Sequence, residues 1–114
     1  MNKIMKLFAA LRKIRELERV QLPFLRSLID FDIIVEIGYA EEEKQPLTQK
    51  QLFLLDLGSL TTVRRRLAQL VEQGIVRRRP NVRDQRSALL TVSAPSLKLL
   101  TKYGSALTAI CGAI

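Results

Sequence analysis

The sequence has no histidine, no tryptophan and a single cysteine, Cys111. Without histidine there is no imidazole to act as a general base or to ligate a metal. One cysteine cannot close an internal disulfide, which fits a reducing cytoplasm better than a secreted scaffold. With no partner base beside it, Cys111 reads as a small core residue. Aromatic residues are scarce, four Phe and two Tyr, so the core is expected to be aliphatic. No glycine-rich phosphate loop is present. Asp30, Asp32 and Glu36 can share one helical face, but nothing arranges them as a catalytic pair, and they read as a solvated face. These absences point to a non-enzyme with no cofactor and no metal site. Long apolar runs are missing too. The start resembles a signal peptide at Lys3 and Lys6, yet Arg12, Lys13 and Arg15 interrupt its apolar stretch. The run 33–39 is broken by Glu36, so neither segment is expected to span a membrane.

What is present is apolar bulk and positive charge. Apolar residues make up 47% of 114, enough for one modest core and one domain. The formal net charge is +8, which suggests a polyanionic partner, with nucleic acid ahead of an anionic membrane. The charge is also segregated. Residues 23–47 carry six acids and two bases, whereas residues 74–93 carry five arginines and one acid.

Hydrophobic spacing predicts an amphipathic helix over 3–20, with Ile4, Leu7, Phe8, Leu11, Ile14 and Leu17 or Glu18 on its stripe. Pro23 suits a helix start, and a second helix is predicted over 24–40 with Leu25, Leu28, Ile29 and Val35 inward. Glu41-Glu42-Glu43 and Pro46 end it. Thr48-Gln49-Lys50-Gln51 has the form of a capping box opening a short helix to about Leu55. Asp56-Leu57-Gly58 reads as a turn with Gly58 at positive φ. Ser59 is a good N-cap for a helix that Gly74 would close. Two strands are predicted over 75–79 and 87–93, with Leu90 and Val92, or their neighbours Leu89 and Thr91, pointing inward. Residues 80–86 between them form a loop rich in turn formers. Pro95 restarts a helix on which Leu97, Leu100, Gly104, Leu107, Cys111 and Ile114 recur at heptad-like spacing. The order is helix, helix, helix-turn-helix, hairpin, helix. This is a mainly α winged helix-turn-helix with extra terminal helices and a hairpin that must pack on them to be stable.

On a wheel of about 100° per residue, Leu60, Val63, Leu67, Leu70 and Val71 share one face of the helix after Ser59. The opposite face centres on Arg65, with Thr61, Thr62, Ala68 and Gln69 beside it and Arg64 and Arg66 on the shoulders. Small residues let such a helix approach base edges. Arg65 has the geometry for guanine and Gln69 for adenine, while the shoulder arginines suit phosphates. The wing adds Arg77, Arg78, Arg79, Arg83 and Arg86, and an arginine-bearing hairpin can enter a minor groove. The same arginines would also blunt an edge strand, though lysine is the commoner device for that. The candidate DNA-contacting set is Ser59, Thr61, Thr62, Arg64, Arg65, Arg66, Gln69, Arg77, Arg79, Arg83, Asp84 and Arg86.

Leu47-Thr48-Gln49-Lys50-Gln51-Leu52, Ser59 to Val63 with Arg65, Leu67, Leu70 and Gly74-Ile75-Val76-Arg77-Arg78 together resemble the DNA-binding lobe of the MarR family of bacterial transcriptional regulators. Asp84-Gln85-Arg86-Ser87 resembles that family's Asp-x-Arg wing signature. The resemblance spans residues 47–93. It implies that Arg86 meets DNA at or near the minor groove and that Asp84 orients an arginine. It places Arg65, Thr61 and Thr62 in the major groove. It also implies a homodimer formed by the terminal helices, 1–22 and 94–114, around a lobe at 23–93, and a near-palindromic site. A small-molecule effector is left open. Two other readings of the same pattern are a winged-helix protein-interaction module meeting an acidic partner, and an RNA-binding or plasmid/phage replication protein. An interaction module should expose apolar residues on the outer face of 59–73, where this sequence carries Thr, Arg and Gln.

Overall fold

The computed structural model describes residues 6–84 and 86–112. They form, in order, helix α1 (Leu7–Gln21), α2 (Leu28–Glu42), α3 (Gln49–Phe53), α4 (Leu60–Glu72), strands β1 (Val76–Arg79) and β2 (Leu89–Val92), and α5 (Ala94–Gly112). This is the mainly helical architecture with a hairpin wing that the pattern predicts. Lys3, Ile4, Gln85 and Ile114, to which the sequence reading also assigned places, lie outside the described residues. Contacts divide the chain into two compact units, residues 26–94 and residues 1–25 with 95–114.

The unit of residues 26–94 is built on α2. Its buried Ile33, Ile34, Ile37 and Ala40 set one inner face, and α4 supplies Val63, Leu67 and Leu70. Leu52 and the strand residues Val76, Leu90 and Val92 are buried as well. Leu28 and Val35, expected to face inward, are 66% and 46% exposed. The chain turns at Pro23-Phe24, and Ser27 caps α2 by accepting the Asp30 N–H at 3.3 Å, so the start lies four residues beyond the predicted one. At about 100° per residue, the buried Ile33, Ile34 and Ile37 lie on the side of α2 opposite Leu28 and Val35, so packing that stripe leaves the other two outward.

Both predicted caps around the helix-turn-helix are present. Thr48 Oγ1 accepts from the Gln51 N–H at 3.1 Å while Gln51 Oε1 accepts from the Thr48 N–H at 2.9 Å. α3 then ends at Phe53, two residues short of the predicted end. Ser59 Oγ accepts from the Thr62 N–H at 3.2 Å. The turn between them differs from expectation. Asp56 takes the positive φ, at 59°, and Gly58 does not. A Cβ at Gly58 would stand 2.9 Å from Ile29 Cδ1, the far end of a side chain that would have to shift to admit it. Gly74 does adopt positive φ, 76°, and its N–H bonds to Val71 O while the Ile75 N–H reaches Leu70 O. That double bond pattern turns the chain from α4 straight into the wing.

The strands pair antiparallel with Val76 opposite Val92 and Arg79 opposite Leu89. Alternation puts Val76, Arg78, Leu90 and Val92 on one face and Arg77, Arg79, Leu89 and Thr91 on the other. Leu90 and Val92 are the buried pair of β2. The second edge of β2 is covered at Leu47-Thr48: the Leu90 N–H donates to Leu47 O at 2.8 Å, and Thr48 bridges Leu89. Glu41, read from sequence only as a helix-ending acid, anchors the same strand. Its carboxylate accepts from the Val92 N–H at 2.9 Å and from the Thr91 hydroxyl.

In the other unit, Ala10, Leu22 and Tyr103 are buried, and the Tyr103 hydroxyl donates to Glu18 Oε2 at 2.9 Å. The exposed pair Arg12–Glu16 and the pair Arg15–Glu18, whose carboxylate is largely covered, run along α1. Leu7, Phe8, Leu11 and Val20 on α1 and Leu97 and Leu99 on α5 are exposed. Cys111, expected in the core, is exposed in the last turn of α5. Among the described residues no helix is long and apolar enough to cross a membrane.

Burial first, and the bond to Glu18 second, push the Tyr103 phenol up to about 12 from an ordinary 10.0. The folded chain therefore holds this proton where the unfolded chain has released it. The stabilisation is intact below pH 10.0 and is lost as pH rises towards about 12. Urea midpoints measured across that window should fall, and Tyr103→Phe should flatten the fall. An equal alkaline decline in both proteins would contradict the assignment.

Candidate nucleic-acid interface

α4 presents two faces with different duties. Val63, Leu67 and Leu70 are buried, while Thr61, Arg64, Arg65 and Ala68 are exposed. Thr61 and Arg65 make no side-chain hydrogen bond or ion pair among the described residues. Arg65, the centre of the predicted outer face, is therefore available to an external partner. Arg64 stands beside it, its guanidinium carbon 5.4 Å from the centroid of the Phe53 ring. Leu60, placed by the wheel on the inner stripe, is 49% exposed at the first turn.

Two predicted contacts are used internally instead. Arg66 was expected on a phosphate-facing shoulder. Its Nε donates to Asp30 Oδ1 at 2.6 Å and its Nη2 to Asp30 Oδ2 at 2.8 Å, with the Arg66 side chain only 11% exposed and Asp30 at 0%. This is a two-pronged, charge-assisted pair joining α4 to the start of α2. The bond to Asp30 foremost holds the Arg66 guanidinium above its usual range. Asp30 also accepts the Arg26 N–H at 2.8 Å, so every part of its carboxylate is engaged. It is a buried structural anchor and does not belong to a solvated acidic face. Gln69, expected to read adenine, gives its carbonyl oxygen to Arg66 Nη1. Ser59 and Thr62 serve the helix start, and Ser59 Oγ donates to Thr62 Oγ1 at 2.8 Å.

The wing is a continuous basic element. Arg77 and Arg79 are exposed on one face of β1. Arg78, on the other, donates from Nε and Nη2 to Gln49 Oε1 at 3.1 and 3.0 Å. Beyond Pro80 the tip is shaped by its own short polar side chains. Asn81 Oδ1 accepts from the Arg83 N–H at 3.1 Å, and Asn81 Nδ2 donates to Ser87 Oγ at 3.4 Å. Asp84 Oδ1 accepts from the Arg86 N–H at 3.1 Å and from its Nε at 3.5 Å. With Arg86 94% exposed, that ion pair contributes little stability. Its effect is on direction: it biases a guanidinium that remains free to meet an anion.

Thus Thr61, Arg64 and Arg65 on α4 and Arg77, Arg79, Arg83 and Arg86 on the wing are exposed on one compact unit, joined by the turn at Gly74. Gln49, Phe53 and Asp30 were missed as supporting residues. Each acts on an arginine far away in sequence, which no local pattern displays. Among the described residues, no group of three His, Cys, Asp or Glu side chains is placed to hold a metal ion.

No protein-family model and no curated protein matches the chain. Solved structures do. A mutant of MarR from Escherichia coli complexed with operator DNA matches with a TM-score of 0.59 and 22% identity, covering 84% of this chain and 66% of that one. A transcriptional regulator from Thermotoga maritima matches with a TM-score of 0.67 and 23% identity, covering 90% of this chain and 72% of its own. AbsC, a MarR family transcriptional regulator from Streptomyces coelicolor, matches at 0.60 and 19%, covering 90% and 69%. The chain has the winged-helix fold of MarR-type regulators.

Proposed function

We propose that this chain is a sequence-specific duplex-DNA-binding regulator that sets α4 in a major groove and the wing at the neighbouring minor groove. Thr61 and Arg65 face base edges, Arg64 faces phosphate, and Arg77, Arg79, Arg83 and Arg86 line the wing contact. The observation that carries the reading is the free, exposed Arg65 on a helix that leads, through one glycine turn, into five further exposed arginines. Arg65 retains its full fork of donors, which matches the two acceptors of guanine. The operator-bound MarR is the precedent for the partner. The exposed apolar residues of α1 and α5 support a homodimer through the terminal helices.

An interaction module meeting an acidic protein fits less well. Leu60 aside, the exposed face of α4 bears Thr, Arg and Ala, without the aromatic or aliphatic anchors such an interface concentrates.

Selection of bound sequences from a random duplex pool tests the reading. A near-palindromic site with half-sites about one helical turn apart, or a multiple of it, is expected for a dimer. A lone half-site would remove the dimer, and no enrichment would remove sequence-specific binding. On the selected site, Arg65→Ala should weaken binding by about 1–3 kcal/mol and relax base choice at one position. Equal loss on selected and random duplexes would take Arg65 out of base readout.

A further inference from the structure

We infer that α3 is a brace for DNA contacts, in which Phe53 and Gln49 hold Arg64 and Arg78 ready as a pair of phosphate-binding guanidiniums. The inference rests on the duplex-DNA reading above and adds Gln49, Phe53 and Arg78 to it.

Gln49 and Phe53 stand four residues apart on one helix, so they lie on the same face. That face meets one arginine from each basic element. Arg64 of α4 lies over the Phe53 ring, 5.4 Å from its centroid, and Arg78 of β1 donates twice to Gln49 Oε1 at 3.1 and 3.0 Å. α3 itself is well fixed, by its reciprocal cap at Thr48, by the buried Leu52 and by the bridge from Thr48 to Leu89.

The chemistry of the partners separates these arginines from Arg66. Arg66 faces the carboxylate of Asp30, which cancels its charge inside the fold. Arg64 and Arg78 are exposed, and each faces a neutral group. An aromatic face attracts a guanidinium without occupying any of its N–H donors. Gln49 takes one oxygen's worth of contact and leaves Nη1 of Arg78 unused. Each arginine thus keeps its charge and spare donors while losing side-chain freedom in advance. An arginine already ordered loses less entropy when it docks. Neutral, sideways support of this kind suits contacts that set register on the DNA backbone and carry no sequence information.

Fluorescence anisotropy with a labelled mixed-sequence duplex tests the inference across a salt series. Arg64→Ala and Arg78→Ala should each make the slope of log affinity against log salt shallower by about one. Phe53→Leu should weaken binding about two- to five-fold, and Phe53→Tyr, which keeps the ring, should bind like the parent. In the Arg64→Ala background Phe53→Leu should have no further effect, and Gln49→Ala should have none in the Arg78→Ala background. Should Phe53→Leu unfold the chain, the Phe53→Tyr comparison and the Gln49 cycle at the exposed Arg78 carry the test. Full single-variant losses persisting in the arginine-free backgrounds would overturn the brace, as would single variants that bind like the parent. A parent chain that binds no duplex at all would instead overturn the DNA-binding reading itself.

Discussion

Asp30→Ala is expected to destabilise the unit of residues 26–94 by about 3–5 kcal/mol, because it strands Arg66 with its charge unmatched. The carboxylate is 0% exposed and accepts from Arg66 Nε and Nη2 and from the Arg26 N–H. Removing it therefore leaves a guanidinium and a backbone donor at the α2–α4 junction without their acceptor. An exposed pair such as Arg12–Glu16 should cost less than about 1 kcal/mol when broken. The two cases differ in burial and in geometry: the buried pair is two-pronged at 2.6 and 2.8 Å, and the exposed one is a single contact at 3.4 Å. Replacing both partners with apolar residues of similar size, Asp30→Leu with Arg66→Met, should recover much of the loss, since no charge then remains unpaired. Urea denaturation of the parent, the single variants and the double variant measures all of this. A single-variant loss below about 1 kcal/mol would show that water reaches the pair and that it does not anchor α4.

Affinity for duplex DNA is expected to fall roughly 10³-fold between about 50 and 200 mM salt, as it does for a protein that neutralises about six phosphates. Arg64, Arg77, Arg78, Arg79, Arg83 and Arg86 are all exposed, so the charges needed are present at the surface of one unit. Arg66 is excluded from that set because Asp30 already neutralises it. Arg66 variants should accordingly change stability and leave the salt slope of any folded fraction near that of the parent. A slope near zero would mean that the wing arginines do not meet phosphates.

How much of this was legible in the sequence depended on the range of the interaction. Thr48-x-x-Gln51, Ser59 and Gly74 each act within a few residues, and each does what its local chemistry predicts. The wing strands followed from period-two alternation, which left open whether Leu90 and Val92 or Leu89 and Thr91 face inward; packing buries Leu90 and Val92. Arg65 was correctly placed outward because the buried stripe of α4 is strongly periodic. The wheel failed at Arg66, because a wheel treats a helix as surrounded by water on its polar side. Asp30, 36 positions away, turns one shoulder of α4 into an interior contact. Gln69 follows Arg66 for the same reason. The start of α2 was misplaced because Pro23 offered a plausible first turn, and only the bonds at Ser27 and Asp30 decide against it. At Gly58 the residue type was read correctly and the cause was not. The positive φ falls on Asp56, and Gly58 packs beside Ile29, a neighbour in space that the turn pattern cannot reveal.

In the proposed complex the outer face of α4 and the wing form one joint surface for duplex DNA. Amide chemical-shift mapping of the full chain, titrated with a duplex drawn from the selected pool, tests it directly. The largest perturbations should fall over 59–68 and 76–88 and saturate together at one stoichiometry. Perturbations confined to the acidic face of α2, or to only one of the two elements, would contradict it.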